Sequence, residues 1–209
     1  MIAGRVYPLF QSAASLAAPA GLAAVAASTT AVTVTWSGST GATAYELVRT
    51  SDGINFTTLS GTATSPYTDS TVSAGHAYVY KVRATNSTAA SAFSNSDFVT
   101  TFVYTDNPLA AASTPIRAIH ITELRQAVDA IRVAVGLSAG TYTDLVIQPG
   151  LTVVRAIHVQ ELRTQVNAPF TAVGLTPPTY TDDALQAGSS VIKSAHVQEL
   201  RTATRCPAP

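Results

Sequence analysis

One motif occurs three times in the second half of the chain, at intervals of 38 residues. It reads Arg117-Ala-Ile-His-Ile-Thr-Glu-Leu-Arg125, then Arg155-Ala-Ile-His-Val-Gln-Glu-Leu-Arg163, then Lys193-Ser-Ala-His-Val-Gln-Glu-Leu-Arg201. A shorter signature keeps the same interval: Tyr104-Thr-Asp106, Tyr142-Thr-Asp144 and Tyr180-Thr-Asp182. Copies at a fixed period with no insertion between them restrict the chain to a stacked array, in which each unit buries its apolar face on its neighbours. In the first copy, Ile116, His120, Leu124, Ala127, Val128, Ile131 and Val135 fall at three- and four-residue steps. That spacing forms one stripe of an amphipathic helix, with Thr122, Gln126 and Asp129 on the wet side.

Helix ends are signalled as well. Thr114 before Pro115 is an expected N-cap, repeated by Thr152 and Ser190. Gly136 and Gly174 are expected C-caps in left-handed geometry. Asp106, Asp144 and Asp182 are expected to cap a short turn leading to Leu109, Ile147 and Leu185. Pro169 replaces Ile131 in the second copy, so that helix is expected to stop or kink near Asn167.

The preceding segment, residues 19–103, has a different period. AVTVTW (Ala31–Trp36) and AYELVRT (Ala44–Thr50) alternate apolar and polar residues, and FTTLSG, YTDST, HAYVYKVRATN (His76–Asn86) and SDFVTTFV follow between turn signals. Short strands at this spacing indicate an all-β sandwich. In the longest run, Tyr78, Tyr80, Val82 and Ala84 share the expected core face, and Val79, Lys81 and Arg83 the expected water face. No flexible linker separates this segment from Tyr104, so the junction is expected to be stiff.

Particular residues of this segment resemble the fibronectin type III family. They are Pro19, Leu22, Trp36 at the end of the second strand, Tyr45 in the third, Tyr67 and Asp69, and the run Gly75-His-Ala-Tyr-Val-Tyr-Lys-Val-Arg-Ala-Thr-Asn86. The resemblance implies that Tyr78 is the tyrosine corner and Trp36 the core tryptophan. The C-terminal half resembles His-x-x-Glu-Leu-Arg repeats that follow such domains in some secreted bacterial proteins, which implies an extracellular bacterial setting and no established activity. The expected fold is multidomain β + α. A fibronectin type III β-sandwich (19–103) precedes a small all-α array of 38-residue repeats (104–209; units 104–141, 142–179 and 180–209). An extended N-terminal arm (1–18) comes first. Tyr7, Leu9 and Phe10 are its expected anchors, either on its own domain or on a neighbouring subunit as an added strand.

Chemistry is weakly signalled. Twelve Lys and Arg cancel twelve Asp and Glu, so there is no basic footprint for nucleic acid. No apolar run is long enough to span a membrane. The lone Cys206 rules out an internal disulfide and any cysteine-based zinc site. His120, His158 and His196, each three residues before Glu123, Glu161 or Glu199, could in principle grip an ion. Their place on the apolar stripe instead predicts packing, with a hydrogen bond to backbone or to a tyrosine of the adjacent unit. The glutamates with Arg125, Arg163 and Arg201 are expected to form a ladder of ion pairs between repeats. The aspartates are too sparse for calcium, and no nucleophile elbow or phosphate loop occurs. No catalytic residue, metal or cofactor is therefore expected. Asn55-Phe-Thr57 and Asn86-Ser-Thr88 match the glycan acceptor pattern.

The third copy runs out as TATRCPAP, and its stripe (Val197, Leu200, Ala203) looks uncovered. The chain is then either a fragment of a longer protein or covered by the next subunit. The second option predicts a non-enzymatic subunit that assembles with copies of itself, head to tail, into an extracellular bacterial filament. The arm and the pair Val197 and Leu200 would be its interface. The rival expectation is a non-catalytic cell-surface or carbohydrate-binding accessory module of a larger secreted protein.

Overall fold

The computed structural model describes residues 15–110, 113–186 and 188–207. Seven strands come first: β1 (Ala20–Ser28), β2 (Ala31–Ser37), β3 (Ala44–Thr50), β4 (Thr57–Ser60), β5 (Tyr67–Asp69), β6 (Ala77–Thr85) and β7 (Asp97–Thr100). They make two antiparallel sheets, ordered β1-β2-β5 and β4-β3-β6-β7. This three-on-four arrangement is a fibronectin type III-like sandwich. Alternation decides which side chains go in: Val32, Val34 and Trp36 of β2 face Leu47, Tyr78, Tyr80 and Val82. Trp36 lies against Tyr45, ring centroids 5.7 Å apart. The expected tyrosine corner is present, since the Ser73 N–H donates to the Tyr78 hydroxyl at 2.9 Å. The buried Asp69 carboxylate accepts from the Tyr80 hydroxyl (2.9 Å) and from Arg49 (2.6 Å).

Three helices follow: α1 (Ala118–Ala134), α2 (Ala156–Ala172) and α3 (Ser194–Ala203). Their stripes meet in one core of Leu124, Val128, Leu162, Val166, Val197 and Leu200, joined by Leu109, Ile147 and Leu185 from the loops. Each helix touches both of the others. An open stack predicts that the first and third units stay apart. Here the rotation per unit brings the third back against the first, and the three helices form a closed triangle.

Two expected helix features are corrected. Thr114, Thr152 and Ser190 do not cap the helices. Their hydroxyls accept from the N–H groups of Ala110, Gln148 and Gln186, closing a turn four residues earlier. α2 also does not end at Asn167; it runs through Pro169 to Ala172. A helical proline orphans the carbonyl four residues before it. That carbonyl, on Gln165, accepts from Arg132 of α1 at 3.2 Å. The C-caps are as expected, with Gly136 at φ +82° and Gly174 at φ +76°.

The supposed water face of β6 is also corrected, because Val79 is buried. Ala77, Val79 and Phe98 pack on Ile131 and Ala134, the last turn of α1. Phe98 meets Phe170 of α2 edge to face, centroids 4.9 Å apart. Arg205 pairs with the buried Asp97 of β7, and the Thr100 hydroxyl donates to the Thr204 carbonyl at 2.9 Å. β7 thereby occupies the place where a full-length α3 would have continued. Gly53, in the turn after β3 at φ +72°, lies backbone to backbone on Gly136, and a Cβ there would sit 2.3 Å from the Gly136 nitrogen. Gly53→Ala is expected to destabilise the fold by roughly 1–3 kcal/mol. Gly75→Ala, also at positive φ but with open space around it, pays only the backbone strain. Urea titration of the two variants checks the difference.

Candidate functional site

The residues most suggestive of chemistry lie in the three motifs, and the same hydrogen bonds recur in each. His120 sits in the first turn of α1. Its Nδ1 accepts the Arg117 N–H at 3.2 Å, and its Nε2 lies 3.1 Å from the Asp106 carboxylate. A ring nitrogen that accepts from a backbone N–H leaves the proton on the other, so Nε2–H donates to the aspartate. His158 bridges Arg155 and Asp144 likewise (3.2 and 2.9 Å), and His196 bridges Lys193 and Asp182 (3.3 and 3.1 Å). All three imidazoles are fully buried. Each ring thus bonds backbone at one nitrogen, and its second partner is the aspartate of the same unit and not a tyrosine of the next. The aspartates correspondingly do not cap a local turn. Each adopts a left-handed backbone, φ 50–53°, and turns its carboxylate toward the helix start, where Arg117, Arg155 or Lys193 pairs with it.

The glutamates hold the same loops from the other side. Glu123 accepts from the Thr105 N–H (3.0 Å) and hydroxyl (2.5 Å), Glu161 from those of Thr143 (2.8 and 2.5 Å), and Glu199 from the Thr181 N–H (3.1 Å). The arginines reach across units. Arg125 donates to the carbonyls of Thr143 and Asp144, both at 2.8 Å. Arg163 donates to those of Thr181 (2.7 Å) and Asp182 (3.0 Å). Arg201 donates to those of Thr105 (2.7 Å) and Asp106 (2.9 Å), 95 or more residues back along the chain. Each guanidinium also covers the tyrosine of the unit it grips: Arg125 over Tyr142 at 4.5 Å, Arg163 over Tyr180 at 4.6 Å, Arg201 over Tyr104 at 5.0 Å. The expected Arg–Glu pairs between units exist at 3.5–3.9 Å, so the shorter carbonyl bonds dominate the contact. Arg125, Arg163 and Arg201 are buried.

The motif is thereby used up by the fold. Histidine fixes the helix start, glutamate the loop, leucine the core and arginine the next unit. Among the described residues no group of three His, Cys, Asp or Glu side chains could hold a metal ion, and no helix is long and apolar enough to cross a membrane. The expectation that Val197 and Leu200 form an uncovered end is corrected: both are fully buried within this chain. The helix lies in the triangle, with Arg201 bonded to the first unit and Cys206 packed against the same core. Tyr7, Leu9 and Phe10 lie outside the described residues. Asn55 is exposed, its amide donating to Asp52 at 2.7 Å. Asn86 is half-buried and organises a turn, accepting from Thr88 and Ala89 and donating to the Gly41 carbonyl at 3.2 Å.

Apolar side chains also remain exposed. At the loop face of the triangle, where the helices begin, Leu151, Val153 and Val191 are 77%, 74% and 76% accessible, and Ile119 39%. Two grooves run between neighbouring units there. One, of about 780 Å³, is lined by Ile116, Ile119, Val153, Val154 and Ile192, with Arg117 at its edge. The other, of about 560 Å³, lies between Pro115 and Ile116 of the first unit and Val191 and Ile192 of the third. Ile116, Val154 and Ile192 hold the same place in their units and meet in the first groove. The sequence pattern placed Ile116 on the helix stripe, whereas α1 begins at Ala118 and Ile116 lines the groove; Val153 and Val191 went unmarked because a lone valine in a loop carries no pattern. The signal was the recurrence of an aliphatic directly before Arg117, Arg155 and Lys193.

No family model matches this chain, and no curated protein matches it. Solved structures match part of the chain. A Fn3-like protein from Clostridium thermocellum is 28% identical, covering 44% of this chain and 96% of that one, with a TM-score of 0.38. Domains of titin are 18% identical over 43% of this chain and 33% of that one (TM-score 0.38). A β-1,2-glucanase from Parabacteroides distasonis is 22% identical over 58% of this chain and 16% of that one (TM-score 0.39).

Arg201→Met orphans two carbonyls and reopens the triangle. It is expected to remove roughly 3–5 kcal/mol of stability and to speed modification of the Cys206 thiol, whose pKa burial now holds above its ordinary value. Unchanged thiol reactivity would show that the closure does not depend on Arg201. Acid is expected to weaken the fold in two stages. Burial, against the pull of Asp106, holds His120 below its ordinary 6.5. Asp106 and Asp182 are held below the ordinary carboxylate value of 3.8 chiefly by their Arg117 and Lys193 partners, and Asp144 chiefly by His158. In both classes the unfolded chain binds protons first, so stability is complete above pH 6.5, declines below it, and declines more steeply below pH 3.8. Urea midpoints between pH 3 and 8 give the profile.

Proposed function

We propose that this chain is a non-catalytic structural module. The sandwich is its spacer and the helical triangle its head, and the head presents the apolar loop face to another protein chain. One observation carries this reading: the exposed aliphatics of the loop face, of which Val153 and Val191 line the two grooves. Leu151, Val153 and Val191 do little for the core, and clustered exposed apolar surface marks interaction sites. Two further features support it. The reactive-looking side chains are engaged in closing the triangle, which leaves no free acid–base pair in the motif. The wedge of Phe98, Ile131 and Phe170 fixes the head on the spacer, so a partner bound at the loop face is held at a set orientation.

The setting we propose is extracellular and bacterial. It rests on the resemblance of the motif to secreted His-x-x-Glu-Leu-Arg repeats that follow fibronectin type III domains. A charge-poor surface rich in Thr and Ser suits such a place, and Asn55 is the better placed of the two candidate glycan acceptors. In a filament the loop face would join successive subunits. In an accessory module of a larger secreted protein it would join a different chain. A carbohydrate platform has less support, since Phe56 and Phe93 flank the Lys81 ammonium at 3.6 and 4.7 Å and are not free to stack on a sugar.

Leu151→Asp combined with Val153→Asp tests the reading. Exposed positions away from structural features change stability by no more than about ±0.5 kcal/mol each, so the doubly substituted chain is expected to keep its urea midpoint. A loss above about 2 kcal/mol would mean that these aliphatics serve the fold, and the docking face would be withdrawn.

A further inference from the structure

We propose that the occupant of the loop-face groove is the Val6-Tyr-Pro-Leu-Phe10 stretch of a second copy of this chain, so that copies join head to tail. The inference rests on the loop face being a docking surface, as argued above. It adds the identity of the partner and moves the acceptor from the buried α3 stripe to the groove between Ile119 and Val153.

The groove selects by chemistry. Its lining is mostly aliphatic, with Thr105 and Thr152 the neutral polar side chains, and the one basic side chain that lines it, Arg117, is already paired with Asp106. An apolar ligand of a few side chains fits such a cleft, which has the volume of an ordinary binding site. Elsewhere among the described residues Val25, Ile54 and Val103 stand singly, and Leu145 and Val146 form an exposed pair that lines neither groove. Residues 6–10 are five consecutive apolar residues without a charge. Pro8 has no N–H to give to a strand ladder, which favours capture by side chains over addition to a sheet edge.

Reach then decides which copy supplies the stretch. Leu16 lies against Gly41 in the turn between β2 and β3, at one pole of the sandwich. The triangle sits at the other pole, touching Gly53, Ala77 and Phe98 through the last turn of α1. β6 spans about 30 Å between the poles, and α1 carries the groove about 25 Å from its point of contact. Of α1 only Ala130, Ile131 and Ala134 join the apolar wedge with the sandwich, so its start leads away from the sheet, and at a right angle these lengths put the groove ~39 Å from Leu16. The nine residue steps from Leu16 to Tyr7 extend at most about 32 Å. A chain therefore falls short of its own groove, while the pole from which its N-terminal segment departs can face the loop face of a neighbour. Repeating that contact without closure gives a linear polymer.

The test uses the full chain with p-benzoylphenylalanine in place of Phe10, mixed with an isotopically labelled copy so that links between chains can be told from links within one. The expected result is interchain photoproducts mapping to residues 115–119 or 149–154. Val153→Asp should reduce them about tenfold, with a matching rise in monomer by sedimentation velocity. Links confined to the chain's own sandwich, monomers at every concentration, or interchain links that Val153→Asp leaves unchanged would each overturn the assignment. These failures are separable from failure of the docking face itself, which shows as lost stability in the doubly substituted chain and not as misplaced cross-links.

Discussion

The architecture turns on a guanidinium that spans the sequence. Arg201 is fully buried and donates to the carbonyls of Thr105 and Asp106 in the loop that opens the helical half. Arg125 and Arg163 make the same bonds to the units that follow them, so each contact is ordinary within the series. Only the third joins the end of the series to its beginning. Three identical contacts with a suitable rotation leave neither a first nor a last unit, and the caps an open stack requires become unnecessary. The planar fork also explains arginine at these positions. A lysine offers a point charge and could neither hold two adjacent carbonyls in fixed geometry nor lie flat on the tyrosine of the gripped unit.

Closure has consequences for the rest of the chain. In α1 and α2 the helix continues for two turns beyond the arginine, and those turns meet each other and the sandwich. In the third unit the chain leaves the helix at Ala203 and turns at Arg205, in left-handed geometry. β7 fills the space, supplying Phe98 to the apolar wedge and Asp97 to Arg205. The sandwich is thus packed into the triangle as a substitute for the missing half helix, which makes the joint rigid. It also accounts for the burial of Val79, on a sheet face that a free-standing sandwich would leave wet.

Much of this was legible in the residues. Runs of strand-forming residues located six of the seven strands, because a half-buried strand must alternate; β1, with alanine on both faces (AGLAAVAAS), was marked only by Pro19 and Leu22. The 38-residue interval located all three helices, because units that bury the same face must repeat the same side chains. The glycine C-caps followed from backbone sterics alone. What escaped reading depended on tertiary partners. The path of α2 through Pro169 needs Arg132 to satisfy the Gln165 carbonyl, and that donor is 33 residues away. The partner of each histidine lies 14 residues upstream, although the Tyr-Thr-Asp signature repeating in phase with the histidines was a hint that the two belong together.

The difference between an open array and a closed triangle is the most instructive of these. A repeat states which residues meet their counterparts in the next unit, but not the angle between units. That angle is set by side-chain volumes at the contact and by loop lengths, and a small change in it separates a ring of three from an unending stack. The apparent exposure of Val197 and Leu200 came from assuming the second. Once the angle is known, uncommitted apolar surface has to be sought away from the helix stripe. It appears where the units expose their loops, at aliphatics that no helical or strand period marks. If copies of this chain associate, the physical cause is the loop face rather than an unfinished stack, because a closed triangle removes the growing end and leaves only its outer surface to join one molecule to another.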